Sequence, residues 1–129
     1  MYEIVVERTI AAGHFLPDYP GKCSRLHGHN YRVRAFLRGR SLDASGLLVD
    51  FGEVKAALND VLERFDHRVL NELPEFAGDS PSTEVFARVL AELIGAGLEG
   101  RPFGVAAWLH RVEVWETPGQ GATYYPHGD

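Results

Sequence analysis

Hydrophobic and polar positions alternate along two stretches in the N-terminal third of the chain. Residues 3–10 are rich in β-branched side chains, and residues 29–40 carry apolar side chains on one parity and arginines on the other. A period of two is typical of a strand with one buried face. We therefore predict two strands, joined by a segment that contains Pro17, Pro20 and Gly21.

A helical period begins near residue 50, after turn chemistry at residues 43–46. Asp50, followed three residues later by Glu53, has the outline of a helix N-cap with a carboxylate in the first turn. Apolar residues then recur at intervals of three and four up to Phe65, which places them on one face of a helix. A first helix is therefore predicted to begin at Asp50.

A second helix is predicted to begin at Ser80-Pro81. Serine is a good cap, and proline suits the first helical position, where its missing N–H would be unpaired anyway. The apolar stripe of this helix consists of Val85, Phe86, Val89, Leu90, Leu93 and Ile94. We expect the helix to end at Gly95 and Gly97, because glycine adopts the left-handed conformation of a C-cap at little cost.

Strand character returns in the C-terminal part of the chain. Residues 105–116 carry Val112 and Val114 on one parity, and a turn at 118–121 leads into a last short strand around 123–125. The order strand, strand, helix, helix, strand, strand indicates an α+β fold: a four-stranded antiparallel sheet with both helices on one face. Such a sheet has two open edges, and pairing with sister subunits is one way to close them.

Composition restricts the class of protein. The 129 residues are near the commonest domain size, so we expect a single domain over residues 1–129, and 45% hydrophobic residues are normal for a globular chain. No apolar run is long enough to span a membrane, and the N-terminus lacks the pattern of a secretion signal. A single cysteine cannot form an internal disulfide, which favours a cytoplasmic location.

The charge pattern argues against a nucleic-acid partner. The formal net charge is -5, whereas phosphate binding needs lysines and arginines that dominate one face. One parity of the second predicted strand nevertheless carries Arg32, Arg34, Arg38 and Arg40. We interpret this local basic stripe as the solvated outer face of a sheet.

His27 and His29 are the most informative residues for function. In an extended segment both imidazoles lie on one face, with Gly28 leaving room between them. A catalytic zinc usually has three protein ligands and one open position, and His14 can supply the third imidazole if the first strand lies beside the second. A His-x-His pair alone is weak evidence, since a surface or structural origin explains it as well.

Cys23 is a second candidate for chemistry. It lies in a polar loop next to Lys22 and near Arg25, where a thiol is more exposed and a thiolate better stabilised than in a core. A buried small side chain and an unreactive surface thiol are the alternatives. The sequence alone does not decide between a reactive and a structural cysteine.

Three further residues belong to the candidate set. Asp66 and His67 follow the first helix, where a histidine can also simply meet the helix dipole. Glu116 shares the parity of the buried valines of its strand, so its carboxylate either needs a partner or is solvated. His110 and His127 have no supporting context, and we expect both at the surface.

Five motifs occur in order over nearly the whole chain. They are CSRLHGHNY at 23–31, GLLVDF at 46–51, FDHRVLN at 65–71, PSTE at 81–84 and EVWETP at 113–118. In these motifs the sequence resembles the 6-pyruvoyl-tetrahydropterin synthase family, whose bacterial branch includes 6-carboxytetrahydropterin synthase of the queuosine pathway. The set is far more specific than any one of its motifs.

The resemblance implies a role for each of the metal and thiol candidates. His14, His27 and His29 would bind Zn2+, and Cys23 would be the catalytic thiol that moves a proton. The family's substrate carries a triphosphate, so a cationic patch is also expected, with Lys22, Arg25 or Arg8 as candidates. No redox cofactor is implied.

The resemblance also implies how the remaining residues and the subunits are arranged. Asp66 and His67 would form the partner dyad, and Glu116 would bind the amino-pyrimidinone edge of a pterin. The family fold, the tunnelling fold, forms trimeric β-barrels that stack as homohexamers. Active sites of the family lie between subunits, with the dyad supplied by a neighbour.

The implied activity is a lyase reaction on 7,8-dihydroneopterin triphosphate. We favour the carbon-carbon lyase that forms 6-carboxy-5,6,7,8-tetrahydropterin and releases acetaldehyde and triphosphate, because the compact chain resembles the bacterial branch. The alternative is 6-pyruvoyl-tetrahydropterin synthase, a carbon-oxygen lyase that only eliminates triphosphate. A hypothesis of another class is a non-catalytic, zinc-stabilised pterin-binding module, in which Cys23 would close the fourth zinc position.

Overall fold

Long strands at both ends of the chain enclose a helical middle section. The computed structural model describes residues 1–103 and 105–128. Its strands and α-helices are β1 (Tyr2–His14), β2 (His27–Gly39), α1 (Phe51–Leu62), β3 (Arg68–Val69), α2 (Thr83–Glu99), β4 (Ala107–Thr117) and β5 (Gln120–Tyr124). Among the described residues, no helix is long and apolar enough to cross a membrane.

The sheet has five strands, in the order β3-β1-β2-β4-β5. β1, β2, β4 and β5 are antiparallel, whereas β3 runs parallel to β1 and pairs with it at Ala12 and Gly13. The predicted α+β class and the two helices are confirmed, but the prediction of a purely antiparallel, four-stranded sheet was wrong. A two-residue strand directly after a helix is too short to show an alternating pattern, so the sequence gives no sign of β3.

β1 and β2 form the longest ladder of the sheet. Their register runs without interruption from Tyr2 opposite Gly39 to His14 opposite His27. The segment between these strands loops out, and its proline- and glycine-rich composition suits that path. The ladder therefore brings the ends of two strands that carry histidines into direct contact.

The core lies between one face of the sheet and the two helices. The largest fully buried side chains include Tyr31, Phe65, Phe86, Leu58, Leu90 and Val114. On the opposite face of the sheet, the predicted basic stripe is interleaved with acidic residues: Arg34 pairs with Glu7, and Arg38 pairs with Glu3. Paired charges of this kind fit the solvated outer face that we expected.

The helix boundaries differ from the predictions in one of the two helices. Asp50 caps α1 as predicted, and its side chain accepts a hydrogen bond from the amide of Gly52. The predicted start of α2 at Ser80-Pro81 was wrong: the cap is Ser82, whose hydroxyl accepts a hydrogen bond from the Val85 amide. The carbonyl of Pro81 instead accepts a hydrogen bond from His14, so residue 81 precedes the helix.

The predicted end of α2 at Gly95 and Gly97 was also wrong. The helix continues through both glycines to Glu99 and is capped by Gly100. Leu98 is buried, so the turn beyond the glycines is held by packing. Tertiary contacts of this kind override the weak helix propensity of glycine, which is about 1 kcal/mol per residue relative to alanine.

Candidate metal centre and reactive cavity

Three imidazoles converge at one end of the sheet. His14 is the last residue of β1, and His27 and His29 point to the same face of β2. One nitrogen of each ring lies within 4.8 Å of the corresponding nitrogen of the other two. This spacing is short enough for the three rings to share one metal ion.

Backbone carbonyls orient two of the rings. Nδ1 of His14 lies 2.8 Å from the carbonyl oxygen of Pro81, and Nδ1 of His27 lies 2.7 Å from that of Arg25. An imidazole that donates its Nδ1 proton to a carbonyl has its Nε2 lone pair free for a metal. Histidines that bind metals are usually held in this way.

Two Nε2 atoms of the cluster are buried without a hydrogen-bond partner. Within the described part of the chain, Nε2 of His14 and Nε2 of His29 have no such partner. Oε2 of Glu116 lies 3.8 Å and 3.3 Å from these two nitrogens but forms a hydrogen bond with neither. Buried polar atoms are nearly always paired, so two unpaired nitrogens this close together need an explanation. A shared metal ion fits this donor set, because neutral imidazole is a good ligand for zinc and other divalent metals.

Burial disfavours the protonated form of two of these imidazoles, His14 and His29. Burial lowers the pKa of His14, which is only 3% exposed, and the neighbouring His27 and His29 lower it further. Burial also lowers the pKa of His29, although the charge of Glu116 opposes that shift. Neutral rings are the metal-binding form of histidine.

Cys23 faces the same cavity as the histidines. It lies in a short 3-10 turn of the loop between β1 and β2, and it is half-buried. The cavity has a volume of about 280 Å3. It is lined by His14, Leu16, Cys23, His27, His29, Ser82, Thr83, Glu84, Glu116, Thr117 and Gln120.

Among the described residues, the thiol does not belong to the cluster of potential ligand atoms. That cluster consists of the three histidines alone. A structural zinc site with Cys23 as the fourth ligand would have placed its sulfur among them. The arrangement is that of three possible ligands beside a separate thiol.

Glu116 lines the same cavity, close to two of the histidines. Its Oε2 is 3.3 Å from Nε2 of His29 and 3.8 Å from Nε2 of His14. The hydroxyl of Thr83 donates a hydrogen bond to the same oxygen over 2.9 Å. Thr83 is therefore the partner that we expected for a carboxylate on the buried face of β4.

Asp66 and His67 lie elsewhere. Nδ1 of His67 is 3.0 Å from Oδ1 of Asp66, so the two side chains do form a pair. The amide of Ala11, followed by the His67 ring, lowers the pKa of Asp66. His67 is 81% exposed and does not line the cavity that contains Cys23; it borders a more open cavity, which is lined by His29 of the cluster as well as by Gly28 and Asn30.

His67 has a backbone conformation that is unusual for a residue other than glycine. Its φ is 59°, in the left-handed region, and its amide donates a hydrogen bond to the carbonyl of Ala11 over 2.6 Å. Such a conformation costs free energy, and strained residues of this kind cluster at functional sites. The backbone of His67 is thus tied to β1 at the edge of the sheet, outside the cavity that contains Cys23.

Sequence reasoning missed several residues that shape the site. Thr83 holds Glu116, and the carbonyl of Pro81 orients His14. Of the proposed triphosphate cations, Lys22 and Arg25 flank Cys23 in the loop, whereas Arg8 donates to Asn59 of α1. The motif around residue 82 was the available signal for Thr83, but a backbone carbonyl leaves no trace in a sequence.

In this α+β fold, one cavity gathers three imidazoles, a thiol and a carboxylate. These groups define a class of protein equipped for metal-assisted acid–base chemistry. A family model described as 6-pyruvoyl tetrahydropterin synthase matches residues 3–127. The chain belongs to this family, as its motifs indicated.

Individual relatives support the same assignment. The chain is 35% identical over 133 residues to the 6-carboxy-5,6,7,8-tetrahydropterin synthase of Bacillus subtilis (strain 168), covering 97% of this chain and 86% of the relative. It is also 35% identical over 131 residues to the protein of that name from Synechocystis sp. (strain ATCC 27184 / PCC 6803 / Kazusa), with 97% and 94% covered. The solved structure of Caenorhabditis elegans 6-pyruvoyl tetrahydropterin synthase superposes with a TM-score of 0.80 at 29% identity, with 97% and 96% covered.

Proposed function

We propose that the protein is a zinc-dependent carbon-carbon lyase of the cytoplasm. It converts 7,8-dihydroneopterin triphosphate and one molecule of water to 6-carboxy-5,6,7,8-tetrahydropterin, with release of acetaldehyde and triphosphate, as a step of queuosine biosynthesis. The proposal depends on one cavity, in which three histidines converge and the thiol of Cys23 lies outside the cluster of possible metal ligands. The relatives that bear the 6-carboxy name, at 35% identity over almost the whole chain, support this product.

The three histidines would hold the metal, and zinc is the ion that best suits three imidazoles with an open position. When bound, zinc supplies a Lewis acid that polarises the side-chain hydroxyls of the substrate. His14 and His27 are kept in the required tautomer by the carbonyls of Pro81 and Arg25. The rigid β1–β2 ladder fixes the spacing of the rings before any substrate arrives.

Cys23 and Glu116 would act on the substrate directly. Cys23, as thiolate, takes up a proton from the substrate side chain. Glu116 binds the amino-pyrimidinone edge of the pterin, since a carboxylate can accept two hydrogen bonds from adjacent N–H groups. Thr83 holds the carboxylate in place through its hydroxyl.

The dyad would reach the reaction from a neighbouring subunit. Asp66 keeps its negative charge, because the amide of Ala11 stabilises the ionised form, and it orients the imidazole of His67. Within one chain His67 lies beside β3 at the sheet edge and does not line the cavity that contains Cys23, so we propose that a second copy completes the site. We propose a homohexamer, a dimer of trimers in which β-sheets join edge to edge into a barrel.

The size of the cavity supports shared sites. Its volume of about 280 Å3 lies at the lower limit of the roughly 300–1,000 Å3 that small-molecule sites occupy. The substrate carries a pterin, a three-carbon side chain and a triphosphate. A wall supplied by another subunit would enlarge the cavity to the size that this substrate requires.

The second candidate function is that of a 6-pyruvoyl-tetrahydropterin synthase. The description of the family model and the superposed Caenorhabditis elegans structure favour it. It uses the same site residues and differs in that the side chain of the substrate stays intact. The product therefore decides between the two.

The test is mass analysis of the products formed by zinc-loaded protein from 7,8-dihydroneopterin triphosphate. Our proposal predicts acetaldehyde, triphosphate and a pterin with a carboxylate at position 6. A product that keeps the three-carbon side chain would assign the 6-pyruvoyl reaction. If the substrate is bound but not consumed, the protein is a binding module and the lyase assignment is wrong.

A further inference from the structure

Hydrogen bonds join residues 66–71, which include the dyad, to the end of β1 and to the residue that follows His14. Oδ1 of Asp66 accepts a hydrogen bond from the amide of Ala11, and β3 then pairs with Ala12 and Gly13. The attachment ends with Asn71, which contacts the residue after His14. The edge of the sheet and the histidine cluster thus share one continuous set of hydrogen bonds.

Asn71 binds both polar groups of a single backbone residue. Its Oδ1 accepts a hydrogen bond from the Phe15 amide over 3.0 Å, and its Nδ2 donates one to the Phe15 carbonyl over 2.9 Å. A carboxamide is suited to this contact because it presents a donor and an acceptor side by side. Both hydrogen bonds are partly buried, so their loss would leave backbone groups poorly satisfied.

Phe15 lies at a critical point of the chain. It directly follows His14, and the next residue, Leu16, donates its amide to the carbonyl of Cys23 over 2.6 Å. The Asn71 contact therefore fixes the backbone between the first histidine and the loop that carries the thiol. The Pro81 carbonyl orients the ring of His14, whereas Asn71 holds its main chain on the C-terminal side.

We infer that Asn71 is a positioning residue for the metal centre: its two hydrogen bonds to Phe15 hold His14 in register with His27 and His29. This inference rests on the proposed function, because it assumes that the three histidines bind a metal. Residues that orient metal ligands typically contribute about 10–100-fold to metal affinity. Asn71 acts through Phe15 and His14 and contacts neither metal nor substrate in this account.

Two variants test the inference. Asn71→Leu keeps the approximate size of the side chain and removes both hydrogen bonds, and Asn71→Asp keeps the acceptor but removes the donor. A matched control is Asn59→Ala, since Asn59 accepts a hydrogen bond from Arg8 on the exposed surface of α1. For each protein, the zinc dissociation constant is measured by chelator competition, the visible spectrum is recorded with Co2+ in place of zinc, and the metal-free form is unfolded thermally.

Asn71→Leu is expected to weaken zinc binding by about 10–100-fold and to change the Co2+ spectrum, with a smaller loss in Asn71→Asp and none in Asn59→Ala. A variant at residue 71 that unfolds more easily but keeps the affinity and the spectrum would have a merely structural role, which overturns the inference. If Asn71→Leu does not fold, Asn71→Asp decides, and wild-type affinity in that variant overturns the inference as well. Wild-type protein that binds zinc but does not consume the pterin would refute the lyase proposal alone, because the metal measurements would still test Asn71.

Discussion

At the scale of single residues, the candidate site is defined by hydrogen bonds to the histidine rings as much as by the histidines. The sequence predicted the shared face of His27 and His29, because strand geometry repeats every two residues. It could not predict that the carbonyl of Pro81, 67 positions away along the chain, orients His14. Main-chain partners depend on tertiary structure and have no signature in residue type.

The role of Glu116 is testable by removing its charge. Glu116→Gln is expected to weaken pterin binding by at least about tenfold, since the loss of one charged hydrogen bond costs about 1.5–3 kcal/mol. Zinc content should not change, because the proposed ligands are the histidines alone. Titration calorimetry with a pterin and metal analysis by mass spectrometry provide the two measurements. Loss of zinc together with unchanged pterin affinity would make Glu116 a metal ligand instead of the pterin anchor.

The buried histidines predict how the stability of the metal-free protein depends on pH. Burial holds the pKa of His14 below about 6.5, the usual value in an unfolded chain. As pH falls through about 6.5, the unfolded chain therefore binds protons that the folded chain does not, and the free energy of unfolding decreases by up to about 1.4 kcal/mol per pH unit for each such proton.

Chemical denaturation of chelator-treated protein between pH 8 and pH 5 measures this dependence. The lowered pKa of Asp66 adds a loss of stability only at more acidic pH, below the usual carboxyl pKa of about 4. A His14→Gln variant is the control, and its stability should depend less on pH over the same range. Equal stability of the wild-type protein at pH 8 and pH 5 would contradict the assignment of a buried neutral imidazole.

At the scale of secondary structure elements, local signals predicted the start of α1 but neither boundary of α2. Asp50 was an unambiguous cap, but Ser80, Ser82 and Thr83 all have capping side chains within four residues. In the structure Ser82 is the cap, and the carbonyl of the preceding residue, Pro81, accepts a hydrogen bond from His14. Local sequence alone cannot include such a contact.

Two glycines, Gly97 in α2 and Gly121 in β5, give predictions of opposite sign. A Cβ at Gly97 would meet only the side chain of Ala57, at 4.0 Å, so Gly97→Ala should raise the free energy of unfolding by about 0.5–1 kcal/mol. A Cβ at Gly121 would lie 2.6 Å from the indole of Trp115, so Gly121→Ala should lower it by about 1–3 kcal/mol. Urea denaturation of both variants is the measurement. A destabilised Gly97→Ala would show that α2 needs the flexibility of glycine near its end.

At the scale of the whole molecule, the sequence predicted the α+β class and the two helices but not β3. That strand consists of two residues, Arg68 and Val69, which pair with the edge of β1. The reactive groups are divided between two places: Cys23 lies in the histidine cavity and His67 lies at the sheet edge. This division is the reason to expect that assembly completes the active site.

Mixed oligomers test whether active sites are shared. Cys23→Ala and His67→Ala should each abolish turnover as pure proteins, and Cys23→Ala should keep its zinc. If each site takes its thiol from one subunit and its dyad from another, a random equimolar mixture contains about one quarter of sites with both groups intact. Co-expression of the two variants, followed by activity measurement, should therefore recover about a quarter of the wild-type rate.

The absence of any recovery in mixed oligomers would contradict shared active sites. It would mean that the thiol and the dyad that act together belong to one chain. As the control, the two variants are purified separately, mixed, and assayed before their subunits have time to exchange. That mixture should show no activity in either case.

The proposed catalytic centre requires that three histidines, and not the thiol, bind the metal, so that a position stays open for the substrate. X-ray absorption spectroscopy at the zinc edge tests it most directly, using the purified zinc-loaded protein without substrate. We expect nitrogen and oxygen neighbours at about 2.0–2.1 Å, with the multiple-scattering pattern of three imidazoles and no sulfur. A sulfur neighbour at about 2.3 Å would show that Cys23 closes the site, and it would contradict the proposed catalytic centre.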